Sequence, residues 1–157
     1  ILGIKNVKTD YFCIFNADGS FNPTEILGMY NKLKNEDKDI IFASRYEKNA
    51  GSDDDTLITK TGNFIFTALG KFLFRLPITD ILYTFVLGKT KMVLDLNLQS
   101  QDFTFCVELP IKAQRKNYKI SSIPSCERIR IAGKKKVNAI RDGFYILKKM
   151  VFMFFKD

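Results

Sequence analysis

Hydrophobic and polar positions alternate along this chain in blocks that predict a mixed α/β domain. Tyr11 to Phe15 is a continuous apolar run with polar flanks, the pattern of a strand buried on both faces. It ends in the polar loop Asn16-Ala17-Asp18-Gly19-Ser20. Asn22-Pro23-Thr24-Glu25 then predicts a helix start, with Asn22 as N-cap, Pro23 in the first turn and Glu25 closing a capping box. Ile26, Leu27, Tyr30 and Leu33 supply that helix with an apolar face. Asp39 to Ala43 is a second buried-type strand, so the chain opens as a parallel βαβ unit with a right-handed crossover. Ligands of such sheets sit beyond the carboxyl ends of the strands, which brings loops 16–20 and 44–56 to one edge.

Further along, Lys48 to Thr56 is polar and acidic and predicts a mobile loop. Leu57 to Leu76 has helical periodicity, with Ile58, Ile65, Leu69, Phe72 and Leu73 on one side and Pro77 as the stop. Thr84 to Gly88 reads as a strand and Lys91 to Leu96 as a short helical turn. Gln101 to Lys116 reads as a helix bent or split at Pro110. Tyr118 to Ile123 alternates like an edge strand ending at Pro124. A basic loop, Glu127 to Lys136, leads into a last helix over 137–155. Residues 1–136 are thus expected to form the catalytic-type domain, and 137–157 an amphipathic helix packed on it or on a membrane surface.

Composition narrows the chemistry. With 157 residues, 46% of them hydrophobic, the chain can bury one core. It has no histidine, which removes Ser-His and Cys-His catalysis, and its cysteines (Cys13, Cys106, Cys126) lack metal-ligand spacing. Acid–base work falls to carboxylates, lysines or tyrosines. The net charge of +8 is concentrated at one end: from Ile111 onward there are 13 Lys and Arg against 3 Asp and Glu. Such a balance points to phosphate-bearing partners. No apolar run reaches the roughly 20 residues of a membrane span, so the chain reads as cytoplasmic, with the inner face of a membrane as a surface it could touch.

The order of motifs carries a resemblance. An apolar strand, Asn16-Ala17-Asp18-Gly19-Ser20, a Pro-containing helix start, a second strand and Ser44-Arg45-Tyr46 together resemble the family 2 glycosyltransferases, in the branch of dolichol-phosphate mannose synthase and bacterial polysaccharide sugar transferases. The likeness runs from Tyr11 to about Gly143 and covers the latter part of that family's catalytic domain, so the first nucleotide-binding strands are expected before Ile1. The resemblance implies a GT-A-like mixed sheet flanked by helices. It also implies sugar transfer from a nucleotide-sugar donor to a lipid-linked or polysaccharide acceptor, with inversion and with help from Mg²⁺ or Mn²⁺. Asn16 and Asp18 stand where the family has Asp-x-Asp, and Ser20 at a third position facing the metal; hard oxygens are the ligands such a cation requires. The bland alternative is that Asn16 and Asp18 are only turn-formers.

Four further segments extend the likeness. Arg45 is suited to phosphate or acceptor contacts by its planar fork, the alternative being a surface arginine paired with a nearby acid. Asp80 matches an aspartate of the family, while the glycine and arginine expected after it are Thr84 and Val86. Glu108 and Asp102 lie in a segment resembling the acceptor-side helix, where a carboxylate can act as general base for a hydroxyl acceptor; a phosphate acceptor needs none. Arg130, Gly133 and Lys136 fit a diphosphate-closing loop, with Lys134 and Lys135 beside them. By contrast, Asp53-Asp54-Asp55 departs from the lipid-phosphate branch and is expected to be a solvated acidic loop. The competing function is a non-enzymatic basic module for anionic lipid or nucleic acid; no aromatic platform for nucleic acid is evident, so nucleic acid is not expected as a partner. A third reading is a transferase fragment that is inactive by itself.

Overall fold

A computed structural model describes residues 2–132 and 138–156. Its centre is a four-stranded mixed sheet: β1 (Tyr11–Ile14), β2 (Ile40–Ser44), β4 (Val86–Lys89) and β5 (Ile120–Pro124), in the order β1-β4-β2-β5. β4 runs antiparallel to both β1 and β2, whereas β2 and β5 are parallel. The expected βαβ unit therefore has parallel strands that do not pair, because β4 is wedged between them. This topology decides which loops meet. The residues after β1, β2 and β5, and those just before β4, all emerge at the same edge.

β2 is buried along its whole length, as its five apolar or small residues require. Ile40 and Phe42 face one core, Ile41 and Ala43 the other, following the two-residue period of a strand. β1 differs from its expectation. It borders the sheet, and Cys13 is exposed, so it is not buried on both faces. Gly88 is required in the middle of the sheet: a Cβ there would stand 3.0 Å from the Phe12 ring and 3.1 Å from the Asp39 carbonyl oxygen.

One face is covered by α2 (Glu25–Asn35) through Met29 and Leu33, while Leu27 points to solvent, contrary to the expected face. No capping box forms at its start. Asn22 Oδ1 accepts from the Thr24 amide and hydroxyl, and the Glu25 carboxylate instead receives Ser125 Oγ at 2.6 Å and the Cys126 amide. The other face is covered by α5 (Phe105–Arg115), with Pro110 inside an unbroken helix, and by α6 (Ala139–Lys156), whose Ile146, Met150 and Met153 join the same core. Two short helices, α1 (Leu2–Lys5) and α4 (Thr90–Asp95), lie at the end of the sheet away from the ligand edge.

α3 (Leu57–Phe74) starts on a capping box made by Thr56 and Thr59 and ends at Arg75, which takes the left-handed conformation (φ 55°). Its orientation departs from the expected face in part: Leu69 and Leu73 pack against the core, but the buried line runs elsewhere. Asn63, Thr67, Gly70 and Phe74 are buried, and Ile58, Ile65 and Phe72 are exposed. The polar stripe faces inward because it has buried work: Asn63 donates to Asp80, and Thr67 Oγ1 accepts from the Ile81 amide. The acidic segment 48–56 is also not a loose loop. Within it β3 (Gly51–Ser52) pairs in parallel with β6 (Cys126–Glu127), and Asp54 and Asp55 turn toward the ligand edge.

Candidate functional site

The four converging segments enclose a cavity of about 740 Å³, walled by Asn16, Ala17 and Asp18, by Arg45, by Asp54 and Asp55, and by Glu127 and Arg130. Leu82, Tyr83, Thr84 and Phe103 give it an apolar side. Asp18 is set by its own turn. Its Oδ1 accepts from the Ser20 amide at 3.0 Å and from Ser20 Oγ at 2.6 Å, while Gly19 takes φ +83° to close the loop. Oδ2 stands 3.8 Å from Arg130 Nη1. The Ser20 hydroxyl bond, the largest effect, holds the Asp18 carboxyl below the usual carboxylate range; burial opposes it, and the Ser20 amide and the Arg130 charge add to the lowering. Ser20 is itself buried behind Asp18, so it acts as a donor to that carboxylate and not as a cavity wall.

The segment after β6 is laid onto this turn. Arg128 donates its amide to the Ser20 carbonyl, Ile131 donates to the Asp18 carbonyl at 2.8 Å, and the Ile131 side chain covers Gly19. Arg130 is thereby carried to the mouth of the cavity, where Nη2 also meets Asp54 Oδ2 at 3.0 Å.

Arg45 follows β2 and is enclosed by acids. Its Nε and Nη2 donate to the two oxygens of Asp80 at 2.8 and 3.1 Å, and Nη1 reaches Glu127 at 3.1 Å and Asp55 at 3.3 Å. The guanidinium lies 4.6 Å from the Tyr83 ring centre and 5.4 Å from that of Tyr46. Asp80 is fully buried and also receives Asn63 Nδ2 at 2.7 Å. Asp55 further accepts from Tyr46 Oη and Thr59 Oγ1.

The structure brings Asn16, Asp18, Arg45 and Arg130 to one cavity, with Asp80 directly behind Arg45. It does not bring Glu108 there. Glu108 is 1% exposed, and its oxygens accept the Gln99 and Ser100 amides and pair with Lys112 and Lys149. Asp102 faces a different cavity of about 720 Å³ along β1 and is bonded to Thr104. Lys134 and Lys136 lie outside the described residues. Sequence reasoning missed Asp55, Glu127, Tyr83 and Asn63. A signal for Asn63 was present: Asn63, Thr67 and Gly70 form an i, i+4, i+7 polar and small stripe on an otherwise apolar helix.

Among the described residues, no three Asp, Glu, Cys or His groups gather in a way that could hold a metal alone. The donor set does fit a hard cation that keeps most of its sites for phosphate and water: one ionised carboxylate oxygen at Asp18 and the amide oxygen of Asn16, both on the cavity wall.

A mixed sheet with one antiparallel insertion, helices on both faces and an Asx-x-Asp turn at the ligand edge defines the GT-A nucleotide-sugar transferase class. The chain belongs to glycosyl transferase family 2, whose family model matches residues 1–96. Its structure is similar to that of glucosyl-3-phosphoglycerate synthase from Mycobacterium tuberculosis in complex with Mn²⁺ and uridine-diphosphate-glucose. The TM-score is 0.60 at 8% identity, over 97% of this chain and 51% of that one, so the chain spans about half the length of that protein and the likeness is one of fold.

Proposed function

We propose that this chain forms the metal- and diphosphate-binding side of a glycosyltransferase domain that moves a hexose-type sugar from a nucleotide diphosphate to a lipid-linked or glycan acceptor, with inversion. The observation that carries this reading is the charge of the cavity. Its described wall holds two arginines, Arg45 and Arg130, against four carboxylates, Asp18, Asp54, Asp55 and Glu127. Arg45 is already engaged by three acids, counting Asp80. A donor diphosphate would meet net negative walls, and a divalent cation at Asp18 resolves that repulsion. Mg²⁺ or Mn²⁺ at this corner would neutralise charge developing on the leaving diphosphate.

Each residue then has a task. Asp18 and Asn16 offer oxygen ligands. Ser20 fixes the Asp18 rotamer and keeps its carboxylate ionised. Arg130 is placed to swing from Asp18 and Asp54 onto phosphate oxygens, and Lys134 and Lys136, a few positions on in sequence, are further cations for the same diphosphate. Arg45 and Asp80 position the strand-end turn. Leu82, Thr84 and Phe103 exclude water beside the transferred sugar. Asp102 is the base candidate only for a hydroxyl acceptor that enters from the neighbouring cavity, which shares Thr84 with the donor cavity, and Glu108 fixes the backbone of residues 99–100 from below. An acceptor that attacks through an ionised phosphate oxygen needs no base.

Calorimetric titration of uridine-diphosphate-glucose with Mn²⁺, and again with a chelator, tests the proposal. Binding is expected only with the metal and is lost in Asp18→Ala. Metal-independent binding, or binding that survives this substitution, overturns it.

A further inference from the structure

The outward sides of α3 and α6 form a surface that the donor cavity does not use. Phe66 of α3 lies beside Gly143 of α6, and Phe74 packs edge-on against Phe154, so the two helices run side by side in the same direction. Both turn large apolar residues to solvent. On α3 these are Leu57, Ile58, Phe64 (74% exposed), Ile65 and Phe72 (83%). On α6 they include Ile140, Phe144, Val151 and Phe155. Large apolar side chains exposed along the length of two neighbouring 18-residue helices mark a contact surface, not scattered surface apolarity.

Charge identifies what covers it. α3 contains no acidic residue, and the single acid of α6, Asp142, has a side chain only 14% exposed and bonded to Asn138 and Arg141. The exposed charges of the two helices are Lys60, Lys71, Arg141, Lys148 and Lys156, all cations. Helical spacing sets Lys60 and Lys71 on one flank of the α3 apolar arc, and Arg141, Lys148 and Lys156 on one flank of the α6 arc. Apolar side chains bordered by lysines, whose stems reach along them, fit an interface of acyl chains and anionic headgroups. No helix among the described residues is long and apolar enough to cross a membrane, so the contact lies in the plane of the surface.

We infer that α3 and α6 together form a platform that binds an anionic lipid bilayer. The inner side of the same α3 carries Thr59 and Asn63 to the donor cavity, so docking would hold that cavity beside the headgroup layer. The surface stands whether or not the transfer reaction does.

Flotation with vesicles tests it, comparing pure phosphatidylcholine with phosphatidylcholine containing phosphatidylglycerol, with sedimentation velocity in parallel. The wild-type chain is expected to float with the anionic vesicles and at least tenfold less with the neutral ones. Phe72→Ser with Phe144→Ser should lower partitioning at least tenfold, and Lys71→Gln or Lys148→Gln about fivefold each. Circular dichroism should show all variants folded, since every changed side chain is exposed, and Mn²⁺ and donor binding should be unchanged. Equal binding to both vesicle types, no binding, or variants that bind like wild type overturns the inference. So does self-association that the same substitutions abolish without any vesicle binding, which would assign the face to a second copy. Donor binding that fails while vesicle binding persists counts against the proposed reaction alone.

Discussion

Arg45 grips Asp80 with three donors: its backbone amide at 3.1 Å and its Nε at 2.8 Å on one carboxylate oxygen, and its Nη2 at 3.1 Å on the other. The pair ties the end of β2 to the segment entering β4, across the antiparallel insertion that makes this sheet mixed. It also converts a residue suited to phosphate binding into one whose fork is already occupied.

Removing Asp80 should therefore destabilise the fold. Asp80→Ala removes the fully buried acid that Arg45 and Asn63 share, and breaking such a pair costs roughly 3–5 kcal/mol. Glu127 and Asp55 remain to hold Arg45, so the lower end of that range is expected. Asp80→Asn keeps the shape and should cost less. Urea unfolding midpoints compare the three proteins; an unchanged midpoint in Asp80→Ala would show that the pair is energetically idle.

The same region shows how much was legible in advance. Strand-end loops, their common edge and the Asx-x-Asp turn followed from apolar runs and Gly or Pro punctuation, which are local signals. The facing of α3 did not follow. Periodicity grouped Ile58, Ile65 and Phe72 with Leu69 and Leu73 on one apolar side, yet only the last two pack on the core; the burial that matters is set by Asp80, a single aspartate whose charge must be met by Asn63 and Arg45. Likewise the sequence of β1 looks doubly buried, yet its position at the sheet border depends on strand order. The partners of Arg45 come from positions 55, 80 and 127, separations that no local pattern encodes.

Glu108 governs an acid-sensitive part of the structure. Burial alone would raise its carboxyl, but the Lys112 ammonium and the Ser100 and Gln99 donors outweigh it and bring the value down to about 2 from 4.5. The folded value lies below the unfolded one, so this stabilisation is complete above about pH 4.5 and is lost as pH falls toward 2. Glu108→Gln should flatten the stability profile across that window and leave metal binding at Asp18 unchanged. Thermal midpoints measured between pH 2 and 6 check this.

On the proposed reading, Arg130 would compete with a cation for Asp18. With Nη1 3.8 Å from Asp18 Oδ2, it places positive charge where a metal would sit. Arg130→Ala should strengthen Mn²⁺ binding in the absence of nucleotide by about two- to fivefold, a modest surface-type coupling, and weaken donor binding in its presence. Electron paramagnetic resonance titration of Mn²⁺ separates the two effects. If the substitution leaves Mn²⁺ affinity unchanged, Arg130 does not guard this corner.

Gly19 couples the Asp18 turn to the segment that covers it. Its φ of +83° is one that side chains seldom adopt, and a Cβ there would stand 2.7 Å from Ile131 Cδ1. Gly19→Ala therefore carries two costs, a backbone cost of about 1 kcal/mol and a clash that pushes Ile131 away. Displacing Ile131 should break its amide bond to the Asp18 carbonyl and draw Arg130 off the cavity. Adding Ile131→Ala removes the contacts at 2.7 and 2.8 Å, leaving only a tight 3.2 Å approach of the two Cβ atoms, but not the backbone cost. The double variant should regain part of the lost stability, and a double-mutant cycle from unfolding midpoints gives the coupling directly. Strict additivity of the two substitutions would mean that Ile131 does not hold the turn, and that the segment after β6 reaches Asp18 by some other contact.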